Sequence, residues 1–144
     1  MLNAWSVENR LVLGQMAVEE KSNEITAVPQ LMDMLDLKGC VVTADALNCQ
    51  KGVAAKAIEK KDDYLLALKA NHQVLFDEVS AYMDDLSGQS PPGFEQVEKD
   101  HGRIETRRCW QSASVDWHAD KAEWPGLRSF VLIESIRERR DTIE

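Results

Sequence analysis

The apolar and polar positions of the first part of the chain follow a strand-like pattern and then a helical one. Leu2–Val7 and Leu11–Val18 are apolar-rich runs joined by a short polar link, and this pattern predicts a β-hairpin. Between Ile25 and Leu35, apolar residues recur three or four positions apart, which predicts a helix. Pro29 falls within this helical pattern. Because proline has no backbone N–H, we expect it in the first turn of the helix.

Two short apolar runs follow, and each precedes a further helical pattern. Cys40–Ala44 and Tyr64–Leu68 have no polar face, which is typical of strands covered by other elements on both sides. Asn48 and Asn71 stand where they can cap the two helices that follow. The order strand, helix, strand, helix predicts parallel strand pairing through a right-handed crossover.

The pattern changes near residue 86. Ser87–Gly93 is rich in Ser, Pro and Gly, which predicts a loop. Beyond it, three runs have the character of antiparallel strands: Phe94–Val97, Arg103–Ala113 and Arg128–Ile136. The sequence therefore predicts an α/β core in residues 1–86 and a β-rich region in residues 87–144.

Composition and charge narrow the class of protein. The 144 residues suffice for one domain with an apolar core, and no apolar run is long enough to span a bilayer. No signal peptide opens the chain, and the three cysteines lack disulfide or zinc-site spacing, so we expect a cytoplasmic protein with reduced thiols. The formal net charge of −8 disfavours simple nucleic-acid binding, which relies on lysine and arginine to displace counterions. Any DNA contact must therefore come from local basic patches or from segments that this chain lacks.

Asp45 is the most informative candidate residue. It stands where a predicted parallel strand ends, and open α/β sheets bind their ligands at the carboxyl ends of strands. A carboxylate there can hold a hard cation such as Mg²⁺, which takes oxygen ligands. Aspartate is also a common turn residue, so Asp45 can equally cap the turn before the next helix. The pattern alone leaves both roles open.

Four segments, in this order along the chain, carry a resemblance to one family: Asn9–Asn23, Gly39–Gln50, Asp63–His72 and His101–Arg107. Together they resemble H-repeat-associated insertion-sequence transposases over nearly the whole chain. The segment that holds Asp45 is similar to the second-aspartate segment of that family. The resemblance implies a ribonuclease-H-like mixed sheet with flanking helices, followed by a β-rich insertion, in a bacterial protein.

The resemblance also implies metal-dependent chemistry on DNA. The family carries an Asp-Asp-Glu (DDE) triad that binds two Mg²⁺ or Mn²⁺ ions beside a phosphodiester, and its members cut and join DNA strands at transposon ends. Asp45 matches the second aspartate and is the expected metal ligand. We expect the first aspartate before Met1 and the third acid beyond Glu144, with Glu105 as the alternative third acid. Because one carboxylate cannot fix two ions, we expect no catalysis from this chain alone.

Five residues are candidates for DNA contact. Lys69 and Asn71 end a strand that neighbours the strand of the candidate aspartate, and both can reach a phosphate; the alternatives are a solvated lysine and a helix cap. Arg103, Arg107 and Arg108 form a local basic strand suited to a DNA backbone, and the alternative is a solvated charged face.

The resemblance places the first aspartate on a central strand that this chain lacks, so the predicted sheet has an open edge. Unpaired strand edges recruit partners. Either the hairpin Leu2–Val18 pairs directly with Cys40–Ala44, or two chains pair edge to edge as a homodimer. We favour the homodimer, because direct closure would shift the hairpin relative to the helices that cover it.

Three functions are compatible with these observations. The first is a part of a DDE transposase core. The second is an inactive transposase remnant or a structural DNA-binding module without catalysis. The third is an unrelated α/β ligand-binding domain that shares only the pattern.

Overall fold

A computed structural model describes residues 1–18, 21–100 and 102–139, without the side chains of residues 21–23, 100 and 139. By contact the chain divides into two compact units. The first unit contains Met1–Gln73 and Ala119–Leu127, and the second contains Val74–His118 and the described residues from 128 onward. Glu20 and His101, which belong to two of the segments that carry the resemblance, lie outside the described residues. The division into an α/β core in residues 1–86 and a β-rich region in residues 87–144 stays a prediction.

The first unit alternates strands and helices. Up to Gln73 its elements are β1 (Leu2–Ser6), β2 (Leu11–Met16), α1 (Lys21–Asp33), β3 (Val41–Ala44), α2 (Lys51–Glu59), β4 (Asp63–Leu66) and a 3₁₀ turn (Ala70–His72). β1 and β2 form the predicted antiparallel hairpin. β3 and β4 pair in parallel with α2 between them in the chain, as predicted. The mixed α/β class is therefore confirmed, while the finer ribonuclease-H-like arrangement stays a prediction.

One apolar core supports both strand pairs of the first unit. It consists of buried residues of α1, of α2 and of the segment after α1: Val28, Met32, Leu37, Val53 and Ala57. Leu2 of β1 and Val42 of β3 both pack against this core. Within the described residues, however, no backbone pairing joins the hairpin to β3. Direct closure of the sheet by the hairpin is therefore not found, and edge pairing between two chains stays a prediction.

Pro29 lies in the interior of α1, so its predicted place in the first turn was wrong. The helix begins at Lys21 and continues past the proline. Because proline has no N–H, the helical hydrogen bond to the carbonyl of Ile25 cannot form. Ala27 and Leu31 are buried on either side of Pro29. We attribute the tolerance of the proline to this burial, which stabilises the helix around it.

β3 and β4 are covered on one face only, so the predicted cover on both faces was wrong. Val42 and Leu66 pack against the core. Val41 and Leu65 remain 62% and 52% exposed. Because successive residues of a strand point to opposite faces, the second face of this small sheet presents apolar side chains to solvent.

The second unit combines one helix with an antiparallel sheet. Its elements are α3 (Gln73–Gln89), β5 (Phe94–Asp100), β6 (Arg103–Ser112) and β7 (Phe130–Arg139). β6 is central and pairs antiparallel with β5 and β7, which confirms the predicted antiparallel structure. The predicted loop begins later than Ser87, because α3 continues to Gln89. The backbone N–H of Ser90 still donates to the carbonyl of Leu86.

Side chains of α3 and of the segment after β6 form the interior of the second unit. Met83 is 1% exposed, and Val79 is also buried. The ring of Tyr82 lies 4.8 Å from that of Trp117, and its hydroxyl is 2.7 Å from Oγ of Ser112. His118 is buried, with Nδ1 3.2 Å from a carboxylate oxygen of α3. None of the helices in the described residues is long and apolar enough to cross a bilayer.

Candidate functional site

Asp45 directly follows β3, at the carboxyl end of the strand, and its side chain is exposed. Its Oδ1 accepts hydrogen bonds from the backbone N–H of Asn48 at 3.2 Å and from the side-chain amide of Asn48 at 3.0 Å. Asp45 therefore closes the turn after β3, as the turn-cap alternative expected. Within the described residues no hydrogen bond reaches Oδ2, so this oxygen remains available to a cation. The two roles of Asp45 are compatible.

Asn48 links Asp45 to a second carboxylate. We expected Asn48 to cap α2, but Gln50 holds that position with an extended backbone, and Asn48 is buried instead, only 5% exposed. Its Nδ2 donates to Oδ1 of Asp45 and to Oε1 of Glu24, both at 3.0 Å. Glu24 lies in the first turn of α1. Asn48 thus brings together acidic side chains from two different elements.

The 3₁₀ turn holds the loop after Asp45. Nδ2 of Asn71 donates to the carbonyl of Ala46 at 2.7 Å, and Nε2 of His72 donates to the carbonyl of Cys49 at 2.6 Å. Because a carbonyl can only accept, Nε2 of His72 carries the hydrogen of this bond. From the sequence, Asn71 was expected to cap α3. Instead, its amide supports the loop after Asp45.

Lys69 lies on the same edge of the sheet as Asp45. Ala44, the last residue of β3, is opposite Leu66, the last residue of β4, and the N–H of Ala67 donates to the carbonyl of Ala44 at 3.1 Å. The carboxyl ends of the two parallel strands therefore meet, and Lys69 follows β4 closely with an exposed side chain. This edge combines one lysine with the carboxylate of Asp45.

Two residues of this site were not identified from the sequence. No role was assigned to Glu24 from the sequence, because an acid in the first turn of a helix is common and interacts favourably with the helix dipole. No role was assigned to His72 either, because its spacing from the other histidines is not that of metal ligands. The only sequence signal for His72 was its position four residues after Leu68, the end of a candidate strand.

The sheet of the second unit carries a mixed-charge face. Arg103, Glu105 and Arg107 share one face of β6, because alternate residues of a strand point the same way. Oε1 of Glu105 accepts hydrogen bonds from Nη2 of Arg107 and Nε of Arg137, both at 3.2 Å. The hydrogen bond from Arg137, together with the charges of both arginines, lowers the pKa of Glu105. Glu98, Arg103, Glu105 and Arg137 line a shallow pocket on this face.

Arg108 belongs to the opposite face of the same sheet. Its Nε donates to Glu95 at 2.6 Å, and its Nη1 donates to Glu134 at 3.2 Å. These hydrogen bonds, that of Glu95 first, raise the pKa of Arg108. Arg103, Arg107 and Arg108 therefore do not form one continuous basic surface.

Acidic and metal-ligating residues are sparse around Asp45. In the parts of the chain that the structure describes, no group of three or more His, Cys, Asp or Glu side chains is arranged to hold a metal ion. Among the described side chains, Asp45 and Glu24 form a pair without a third acidic member.

Comparison with known proteins assigns the chain to a family. The family model described as the transposase DDE domain matches residues 1–135. The chain therefore belongs to the transposase DDE domain family, which confirms the resemblance found in the sequence.

Curated relatives extend well beyond the chain. An uncharacterized protein in the dhlA 3′ region of Xanthobacter autotrophicus is 48% identical over 139 residues, which are 96% of this chain and 47% of the relative. YncI of Escherichia coli O157:H7, provisionally named a transposase, is 41% identical over 98% of this chain and 37% of its own length. YhhI of Escherichia coli K12, provisionally named an H repeat-associated transposase, is 38% identical over 95% of this chain and 37% of its own length. The chain thus spans less than half the length of these relatives. No solved structure matches it significantly.

Proposed function

We propose that the chain forms part of the ribonuclease-H-like catalytic core of a DDE-type DNA transposase, in which Asp45 is the second acid of the triad. The observation that carries this proposal is the exposed carboxylate of Asp45 at the carboxyl end of β3. Membership of the transposase DDE domain family supports it. The hairpin followed by two parallel strands is compatible with such a core.

Asp45 is proposed to hold a divalent cation, Mg²⁺ or Mn²⁺. Hard cations take oxygen ligands, and the side chain of Asp45 is exposed, with no hydrogen bond to its Oδ2 in the described residues. When bound, the metal supplies activation of a water or 3′ hydroxyl and stabilisation of the leaving oxygen. Asn48 contributes by fixing the orientation of the carboxylate through its two hydrogen bonds to Oδ1.

The remaining acids of the triad are proposed to lie outside this chain. Glu105 is the alternative third acid, but its carboxylate already accepts hydrogen bonds from Arg107 and Arg137. A carboxylate held by two arginines favours a structural ion pair over an open metal ligand. The curated relatives are more than twice as long as the segment they share with this chain, which leaves room for two more acids.

DNA, in the form of transposon ends, is the proposed partner of the whole protein. Lys69 lies on the edge of the sheet that carries Asp45, where it can contact a phosphate. Arg103 and Arg107 are exposed on one face of β6 and can contact the DNA backbone. Asn71 acts indirectly, because its amide holds the loop after Asp45.

Iron-mediated backbone cleavage tests the assignment of Asp45. Fe²⁺ occupies oxygen-ligand sites of Mg²⁺ and, with ascorbate and peroxide, cuts the polypeptide near the bound ion. We expect cuts in residues 45–50 that disappear in Asp45→Asn and persist in the matched control Asp36→Asn, an exposed acid of the same unit. Cuts that persist in Asp45→Asn would refute the assignment. A complete absence of specific cuts would favour a structural module without catalysis.

A further inference from the structure

We propose that Glu24 is a positioning residue for Asp45 and acts through the side-chain amide of Asn48. The carboxylate of Glu24 fixes which end of this amide faces Asp45, and it thereby leaves Oδ2 of Asp45 as the oxygen available to a cation. The inference rests on the proposed function of Asp45 as a metal ligand. Glu24 itself is no ligand in this arrangement, because the donor Nδ2 of Asn48 lies between the two carboxylates.

Asn48 uses both hydrogens of its side-chain amide on carboxylates. Its Nδ2 donates to Oδ1 of Asp45 and to Oε1 of Glu24, each at 3.0 Å. An amide nitrogen carries two hydrogens, so these two bonds use its whole capacity as a donor. Hydrogen bonds to ionised acceptors are about twice as strong as those between neutral groups. Both carboxylates therefore favour the same orientation of the amide.

The oxygen end of the same amide does not select an orientation. Oδ1 of Asn48 is buried, and within the described residues no hydrogen bond reaches it. A half-turn of an amide exchanges its oxygen and nitrogen at nearly the same positions, so the partners alone distinguish the two orientations. After a half-turn, the amide oxygen would meet the carboxylate oxygens of Glu24 and Asp45, and none of these atoms carries a hydrogen to donate. Without Glu24, a single carboxylate would oppose the half-turn.

Burial and packing make Glu24 difficult to replace in this role. Asn48 is 5% exposed, so water has little access to an amide hydrogen that loses its acceptor. Glu24 lies in the first turn of α1, and Val28, four residues later on the same face of the helix, belongs to the apolar core. The acceptor is therefore held by a packed helix and not by the loop that it orders.

The orientation of the amide determines how the carboxylate of Asp45 is held. Oδ1 of Asp45 accepts the bond from Nδ2 of Asn48 and a second bond, at 3.2 Å, from the backbone N–H of Asn48. Both donors approach the same oxygen, and within the described residues no hydrogen bond reaches Oδ2. An amide oxygen in place of Nδ2 would repel the carboxylate from this position. Loss of a residue that orients a metal ligand typically lowers metal affinity by about 10–100-fold.

The competing explanation is that Glu24 only attaches α1 to the loop after β3. The nuclear magnetic resonance signal of the Asn48 side-chain amide, assigned by its absence in Asn48→Ala, separates the two roles. The 144-residue chain is compared with Glu24→Ala, Glu24→Gln and the control Glu59→Ala, which removes an exposed ion pair with Lys56 in the same unit. Circular dichroism confirms that each variant is folded.

We expect Glu24→Ala to accelerate the exchange of one amide hydrogen of Asn48 with water by about tenfold or more, because a charge-assisted hydrogen bond is lost. Glu24→Gln should restore most of the protection, since the carbonyl oxygen of glutamine also accepts a hydrogen bond. Glu59→Ala should leave the signal as it is in the wild type. A signal that is the same in the wild type and in Glu24→Ala would overturn the inference.

Iron-mediated cleavage in residues 45–50 reports the effect on the proposed cation site. Glu24→Ala should reduce the cuts by about tenfold, whereas Glu24→Gln and Glu59→Ala should retain them. In the Asn48→Ala background, Glu24→Ala should cause no further loss, because Glu24 acts only through this amide. A further loss in that background would show that Glu24 acts by another route and would contradict the inference.

The outcomes distinguish this inference from the function on which it rests. If Asp45→Asn abolishes the cuts and Glu24→Ala leaves them unchanged, the inference is wrong and the metal role of Asp45 stands. If the cuts persist in Asp45→Asn, or if the wild-type chain shows none, the metal role is wrong and the inference fails with it. The Asn48 signal then still shows whether Glu24 orients the amide.

Discussion

The hydroxyl of Tyr64 donates a hydrogen bond to the backbone carbonyl of Pro125 across 2.9 Å. Tyr64 lies in β4, whereas Pro125 belongs to the distant segment Ala119–Leu127 of the same unit. The next residue, Gly126, has a φ of +72°, and a Cβ atom there would overlap the side chain of Ile58. This hydrogen bond and close approach attach the later segment to the core of the first unit.

Tyr64→Phe should lower the free energy of unfolding by about 1 kcal/mol, because it removes the hydrogen bond and leaves the carbonyl of Pro125 without this partner. The ring and its packing are unchanged. Urea denaturation monitored by circular dichroism measures the difference. An unchanged midpoint and slope would show that water replaces the hydroxyl at no cost.

The same tyrosine predicts how stability depends on alkaline pH. Burial, with a smaller contribution from the charge of Cys49, raises the pKa of Tyr64 to about 12. An unfolded tyrosine titrates near pH 10, so the stabilisation is complete below that pH and is lost as the pH rises from about 10 to 12. The loss is at most about 3 kcal/mol. Tyr64→Phe should lack this component, and Tyr82, which remains in both proteins, cancels in the comparison. Parallel alkaline profiles of the two proteins would contradict the prediction.

Gly126→Ala should destabilise the protein more than Gly39→Ala. Both glycines have a positive φ, which costs an alanine about 1–2 kcal/mol. A Cβ atom at Gly39 has open space, whereas at Gly126 it meets Ile58. Overpacking typically adds a further cost of about 1–3 kcal/mol. Urea unfolding of the two variants measures the difference, and equal losses would mean that Ile58 moves aside freely.

How much of this structure the sequence could predict depends on the range of the interaction. The hairpin of β1 and β2 and the parallel pair of β3 and β4 were predicted, because their signals are short periodic runs and turns. The interior position of Pro29 in α1 and the exposure of Val41 were not predicted, because tertiary packing determines both.

The candidate site shows the same limit. Asp45 was found from its place at a strand end, which is a local signal. Glu24 and His72 were missed, because their hydrogen bonds to Asn48 and Cys49 join residues 24 and 23 positions apart. No period or motif in one sequence encodes such a pairing.

DNA binding by the isolated chain should be weak and should depend only slightly on salt, because the net charge is −8 and the arginine face also carries Glu98 and Glu105. Replacing both Arg103 and Arg107 by glutamine should weaken the binding further and reduce the salt slope by about 1 per lost phosphate contact.

Arg108→Gln is the control for this prediction, because Arg108 lies on the opposite face and is held by Glu95 and Glu134. Fluorescence anisotropy with duplex DNA measures all three proteins. Nanomolar binding at physiological salt, or equal losses in the double variant and the control, would contradict the prediction.

Self-association is expected at the uncovered face and edge of the small parallel sheet. Val41 and Leu65 expose apolar surface there, and within the described residues β3 pairs with β4 alone. Val41→Lys should shift the chain towards monomer, whereas Val74→Lys, at a 72% exposed position of the second unit, should not. Light scattering over a wide concentration range measures the mass. A wild-type chain that stays monomeric throughout would reject the homodimer.

The first unit is assembled from two stretches of chain, and this has a consequence for biosynthesis. Trp124 is buried in that unit and Pro125 receives the hydrogen bond of Tyr64, yet a ribosome adds both residues only after α3, β5 and β6. In a nascent chain, β3, α2 and β4 are therefore complete before the segment that accepts the hydrogen bond of Tyr64 has been translated. For the same reason, a gene shortened to end at residue 86 would encode the Asp45 loop without Trp124 or Pro125. Its product would lack these contacts of the first unit and would therefore be less stable.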